Sequence, residues 1–418
     1  MRFYAHANSI PEKKCIHDFM FMEEGHPREE MHPKHKTGRR NNGSQEGISS
    51  PSNELKCIAL DQFLFTRSIT SSFQSNMPPN RAAWQDKAGT TLCIRQTPYP
   101  TTLKPGQMVV KPQAWAINPC NALLQDTALP FIQYPLILGE DISGGVMETG
   151  NAVSRFKPGD RVLAFAQGAF RGAAMGGFQE HVIVEEGVAC HVPEWMSFVQ
   201  ASVFPLCFTT AAQGLFNKDF LALPRPEIGI EANSAGKSVL IWGGASAVGA
   251  NAIQLARAAG LEVLTTASPQ NFEYVKGLGV SCVFDYRSET AMEEIVAALD
   301  RSACPCAGIF QAAGADASLK PCLEIAKEAK GNIPVVTTTP VADELVPEGV
   351  SAKMVFGDNQ SDILPIWKDF LPSALARREY VVAPEPEVVQ GKGLEGIQEG
   401  LDVLKKGVSA KKVVVSAD

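Results

Sequence analysis

The run Val239-Leu240-Ile241-Trp242-Gly243-Gly244-Ala245-Ser246-Ala247-Val248-Gly249 carries the densest chemical signal in the chain. Its opening residues are apolar without alternation, the mark of a strand buried on both faces. Small residues follow, and Val248, Ala252, Leu255, Ala256 and Ala259 then recur on one side of a helix predicted through Arg257. Gly260 stands where such a helix should stop. A strand, a glycine turn and a helix N-terminus gather unpaired backbone N–H groups and the positive end of the helix dipole at one place. That place suits a dinucleotide pyrophosphate. The pattern departs from G-x-G-x-x-G: Gly244 and Gly249 remain, but the middle position is Ala247. An ordinary strand-to-helix turn is the competing reading. A second strand predicted at Glu262–Ala267 completes a βαβ unit of about thirty residues, and this context favours the nucleotide.

The end of that second strand bears on which nucleotide. It reads Thr265-Thr266-Ala267-Ser268-Pro269-Gln270-Asn271, with no acid before Glu273. NAD sites usually place a carboxylate there for the ribose 2′-OH. Small donors without a carboxylate leave room for a 2′-phosphate, so NADP(H) is favoured over NAD(H), although the stretch has no Arg or Lys.

Two globular domains plus extras are expected for 418 residues with 45% hydrophobic content. A net charge of −7, with no basic stripe in the body, argues against a nucleic-acid surface. No apolar run is long enough to span a bilayer. Ten cysteines lie scattered without framework spacing, as expected of reduced thiols inside a cell. Residues 1–76 hold five of the seven histidines and no readable period. Cys15, His17, His26, His32 and His35 match no zinc spacing, and a disordered extension is expected, with Met77 as an alternative start.

From Met77 to about Pro205 the chain reads as short strands between turns, at 107–111, 142–149, 161–166 and 178–184. Gly139, Gly144 and Gly145 suggest bulges or close backbone approach. Alternating strands and helices follow to about Thr338, and a helix at 393–404 and a strand at 412–415 close the chain.

The order of Asn118-Pro119, then Pro135-Leu136-Ile137-Leu138-Gly139-Glu140-Asp141, then Phe156-Lys157-Pro158-Gly159-Asp160-Arg161-Val162 resembles the medium-chain dehydrogenase/reductase family. Gly177-Phe178-Gln179-Glu180-His181, the glycine turn and Gln254-Leu255-Ala256 extend the likeness. The resemblance implies an α/β architecture: a GroES-like β-barrel domain with an inserted Rossmann domain, a doubly wound parallel sheet. The expected limits are 77–205 for the barrel, 206–345 for the NADP-binding domain, and 346–418 for the return to the barrel.

Zinc-dependent members carry Gly-His-Glu where this chain has Gly139-Glu140-Asp141, and no cysteine lies between Cys120 and Cys190. No metal is expected, and Cys120 reads as a small cleft residue. Within the zinc-free branches the chain looks most like fungal trans-acting enoyl reductases, which reduce a 2-enoyl thioester with NADPH beside polyketide synthases. That likeness implies NADPH contacts from Asn118, Pro119, Cys120, Asn121, Thr210, Ala245, Ser246, Ala247, Val248, Ser268, Pro269, Gln270, Asn271 and Tyr286. It implies a substrate cleft lined by Leu206, Cys207, Phe208 and Thr209, with Met354, Val355, Phe356, Gly357 and Asp358 nearby.

No residue stands out as a general acid, and water is one source of the final proton. Tyr286 ends the third Rossmann strand and is expected at the adenosine half of the cofactor, with a half-buried core tyrosine as the alternative. Thr209 and Thr210 either bond the nicotinamide carboxamide or cap a helix. His181 and His191 read as satisfied structural residues. Glu140 and Asp141 are adjacent on a strand, face opposite sides, and so are not a paired acid and base. The expected protein is a cytoplasmic enoyl reductase, monomeric or homodimeric, acting on a small-molecule or carrier-bound enoyl substrate. A general quinone or enone reductase and a non-catalytic NADPH-binding protein are the alternatives.

Overall fold

The computed structural model describes residues 78–130, 132–313, 316–356 and 360–418. The expectation of a disordered extension over residues 1–76 lies outside them. The strand-rich part contains β1 (Arg81–Gln85), β2 (Cys93–Gln96), β3 (Gln107–Ala116), β4 (Leu136–Ile137), β5 (Asp141–Thr149), β6 (Arg161–Phe165), β7 (Val182–Glu185) and β8 (Ala189–His191). Helices then alternate with β9 (Ser238–Trp242), β10 (Glu262–Ala267), β11 (Cys282–Asp285), β12 (Cys306–Gln311), β13 (Val335–Thr337) and β14 (Ala352–Met354). The last strands are β15 (Glu385–Val388) and β16 (Lys411–Ser416).

In the first part, β2-β1-β4 form a small sheet, and β15-β16-β3-β5-β6-β8 form a larger one in which β7 also pairs with β3. Close approach shapes it: a Cβ on Gly144 would stand 2.0 Å from the carbonyl oxygen of Lys111 on the neighbouring strand. The β3–β5 register shifts at Val109/Val110 and again at Pro112/Ala114. The strand expected over 178–184 begins only at Val182. The Phe178 and Glu180 amides leave the ladder to bond the Leu138 and Arg81 carbonyls, at 2.8 and 3.0 Å.

The six strands β11-β10-β9-β12-β13-β14 form one sheet, and every pairing in it is parallel. Strand order reverses beside β9, between β10 on one side and β12 on the other. Ligands of such sheets bind in the crevice at the carboxyl ends there. The limit expected at residue 345 cuts through this sheet, because β14 pairs with β13 in parallel from Ala352 to Met354. That strand has only three residues and no alternation, which hid it in the sequence. The return to the barrel sheet is made later, where β16 pairs antiparallel with β3 and parallel with β15.

The Pro205–Phe216 helix packs between the two parts. Its Phe208 is fully buried and meets Trp367 and Tyr380 with ring centroids 5.0 and 5.9 Å away. Among the described residues, no helix is long and apolar enough to cross a membrane.

Candidate active site

Two groups of residues stand out, one at the end of β9 and one at the starts of β5 and β16. The first is the glycine turn. Gly243 adopts φ +84°, and its amide donates to Thr266 Oγ1 at 2.9 Å. A Cβ on Gly249 would lie 2.3 Å from the Gly243 carbonyl oxygen, so the Ala247–Ala258 helix presses against the turn. Ser246 caps this helix: its hydroxyl accepts from the Gly249 amide and donates to the Ala312 carbonyl, both at 3.0 Å. The Ala250 amide makes the first intrahelical bond, to the Ser246 carbonyl. The amides of Ala247 and Val248 therefore have no partner inside the helix and suit an anion.

At the end of β10, Asn271 Nδ2 donates to Ser268 Oγ at 3.0 Å and to Ser409 Oγ at 3.2 Å, and Gln270 Nε2 donates to Ser409 Oγ at 3.1 Å. These side chains are hydroxyls and amides without a carboxylate. Ser409 enters from the loop before β16, and nothing in its local sequence marked it. Tyr286 is half exposed after β11, with the Arg287 guanidinium 5.3 Å from its ring centroid. That exposure sets aside the alternative of a core tyrosine.

The second group is a buried polar network where β3, β5, β16 and the Pro205–Phe216 helix meet. Asp141 opens β5; its Oδ1 accepts from the Leu206 amide at 2.5 Å, and its Oδ2 accepts from Asn118 Nδ2 at 2.8 Å. Lys412 on β16 puts its ammonium 2.9 Å from Asp141 Oδ2 and 3.3 Å from Cys207 Sγ, and donates to Asn118 Oδ1. Burial opposes the charge on Lys412, but Asp141 and Cys207 outweigh it and hold its pKa above the usual value. The neighbouring Glu140 turns to other partners. Its Oε2 accepts from Asn121 Nδ2 at 2.5 Å and lies 3.6 Å from Cys120 Sγ. Burial pushes the Glu140 carboxyl up to about 7, against the Asn121 hydrogen bond.

Two family models match the chain: the alcohol dehydrogenase GroES-like domain over residues 104–194, and the zinc-binding dehydrogenase domain over 247–364. Dehydrogenase azaJ of Aspergillus niger is 42% identical over 351 residues, covering 81% of this chain and 99% of its own length. The chain belongs to the medium-chain dehydrogenase/reductase family. Members are nucleotide-binding oxidoreductases. Trans-enoyl reductase himH of Aspergillus japonicus is 35% identical over 342 residues, covering 80% of this chain and 97% of its own. The structure of an alcohol dehydrogenase superfamily protein from Novosphingobium aromaticivorans superposes with a TM-score of 0.64 at 25% identity, over 81% of this chain and 100% of that one.

Zinc, which the name of the second family model implies, does not fit the residues present. Cys120 and Glu140 are two possible donors, and among the described residues no group of three His, Cys, Asp or Glu could hold a metal ion. The Lys412 ammonium nearby disfavours a second cation.

Other expected residues sort differently. The Asn118 and Asn121 side chains are buried in the network and hold protein groups, so any cofactor contact there falls to Pro119 and Cys120 on the accessible side. Phe208 does not line the cleft, because its helical position points into the aromatic cluster. Thr209 bonds the carbonyl of Pro205 in its own helix at 2.7 Å. Neither Thr209 nor Thr210 caps the helix, which Pro205 starts one turn earlier. Leu206 and Thr210 are half-buried at this end of the helix. Met354 and Val355 are half-buried and Phe356 is exposed, its ring edge-on to Phe170 at 6.1 Å across the two parts; Gly357 and Asp358 lie outside the described residues. His191 Nε2 pairs with the Arg155 carbonyl at 3.0 Å, as expected of a structural histidine. His181 is buried, and its Nδ1 has no partner among the described residues.

Proposed function

We propose that this chain is an NADPH-dependent, zinc-independent enoyl reductase that acts on an α,β-unsaturated thioester beside a polyketide synthase, in the cytoplasm of a fungal cell. The observation that carries the cofactor half is the carboxylate-free cluster of Ser268, Asn271 and Ser409 beside the glycine turn. A 2′-phosphate would meet hydroxyl and amide groups there instead of a carboxylate. The substrate half is supported by relatives named trans-enoyl reductases, himH among them.

The chemistry that NADPH supplies when bound is a hydride. The protein's part is placement, which contributes roughly 7–11 kcal/mol when reactants are well held. The glycines let the Gly243–Gly249 turn pack tightly against Ala313, Thr265 and the start of the helix, and the Ala247 and Val248 amides would hold the charge of a pyrophosphate there. The Asp141–Lys412 pair and the Asp141 bond to the Leu206 amide pin the helix to the barrel, which fixes the width of the cleft. Leu206, Met354, Val355 and the Phe170–Phe356 pair give that cleft an apolar wall suited to an acyl chain.

NADPH oxidation followed across enoyl thioesters, enones and quinones tests this. Turnover should be fastest with a thioester, elemental analysis should find much less than one zinc per chain, and chelator should leave the rate intact. Faster reduction of quinones would make the chain a general quinone reductase. NADPH quenching of tryptophan fluorescence without turnover on any acceptor would make it a binding protein.

A further inference from the structure

Glu140 is a buried carboxyl with an unequal environment. Oε2 is held by the Asn121 amide and approached by the Cys120 thiol, whereas Oε1 accepts no hydrogen bond among the described residues. The residue is 7% exposed, so Oε2 is clamped while Oε1 is left without a protein partner among the described residues. The titratable groups around it are Cys120 on the Pro119–Asp126 helix, Asp141 at the start of β5 and Lys412 on β16, with Cys207 behind Lys412. Asp141 is fixed by Lys412, Asn118 and the Leu206 amide, and has no part in exchange with the cleft.

We propose that Glu140 is the proton donor to the α-carbon in the conjugate reduction, an inference that rests on the enoyl reductase reading. Once the β-carbon has accepted the hydride, the substrate is an enolate. The Glu140 O–H bond breaks and leaves its electron pair on the carboxylate. The enolate pair forms the new bond from the α-carbon to that proton, and the thioester carbonyl is restored. Asn121 Nδ2 and the Lys412 charge stabilise the carboxylate until water returns a proton. A carboxyl that stays protonated near neutral pH matches this task, since burial already holds it up to about 7.

The test compares wild type with Glu140→Gln on an α-methyl enoyl thioester. In wild type, kcat should fall as pH rises through about 7, and the product should be a single epimer at the α-carbon. The variant should lose about a hundredfold or more in kcat, within the range for a lost general acid. It should also lose the pH dependence and give both epimers, while NADPH affinity from tryptophan quenching stays within about twofold. Independently of turnover, wild type should show an infrared carboxyl band that titrates near 7 and is missing from the variant. If Glu140→Gln does not fold, the wild-type pH profile and that band decide the matter. An active wild type whose variant keeps rate, slope and a single epimer overturns the role of Glu140 and leaves the enoyl reductase reading intact. A wild type that binds NADPH but reduces no thioester overturns both.

Discussion

The glycine turn and the buried Asp141–Lys412 network are built in opposite ways. The turn is local: Val239 to Gly249 supply strand, glycines and helix start from one short run, and backbone amides do its work. The network is assembled from β5, β16 and two helices, and side chains do its work; Asn118 and Lys412 stand 294 positions apart. A local backbone site depends on the absence of side-chain atoms. A long-range side-chain site depends on the presence of every partner. Substitutions should therefore separate the two, with stability lost from the network and cofactor affinity lost from the turn.

The largest effect should come from Lys412→Met, which leaves the Asp141 charge buried and unpaired. Breaking one side of such a pair costs about 3–5 kcal/mol, and the loss should appear in the urea midpoint. An unchanged midpoint would mean that the pair contributes nothing to holding the cleft.

Glu140 should give the network a pH signature as well. Its folded pKa is raised to about 7, above the unfolded carboxylate value of roughly 4.3. Its favourable share is thus complete below the unfolded value and is lost as pH rises through the folded one. Unfolding free energy should fall by up to about 3 kcal/mol between those limits. Glu140→Gln should flatten that part of the profile, and an equal slope in the variant would assign the titration elsewhere.

At the turn, Gly249→Val would force a side chain against the Gly243 carbonyl and lift the helix away. NADPH affinity should drop about tenfold or more, about 1.4 kcal/mol. Retained affinity would show that the turn is not the pyrophosphate site. Ser268→Asp sets a carboxylate where a 2′-phosphate is accommodated, so the NADPH-over-NADH preference should narrow or invert, while a preference unchanged from wild type would move the 2′-phosphate elsewhere. The smallest effect is expected for Tyr286→Phe, a few-fold rise in KM for NADPH with kcat nearly kept. A fall in turnover of more than about a thousandfold would instead make Tyr286 the acid.

This contrast also explains what the sequence disclosed. The strand at Glu262–Ala267 and the helix after the glycine turn were legible because period and turn chemistry are local. Glu140 precedes β5 instead of lying on it, so alternation along a strand does not decide how it sits relative to Asp141. Local pattern also could not reveal Lys412, whose meaning depends on β16 returning beside β3, nor Ser409, which reaches Asn271 only through that return. Phe208 was misplaced for a related reason: the family likeness located its helix at the cleft, but only the packed aromatic cluster decides which face turns inward.

The most direct test of the account is a single-turnover reduction of a 2-enoyl thioester with NADPH deuterated at the transferring position. Deuterium should appear at the β-carbon of the product, with the α-hydrogen derived from solvent, and NADH should support the reaction far more weakly. Deuterium at the carbonyl carbon, or no transfer to a thioester while a quinone is reduced, would contradict it.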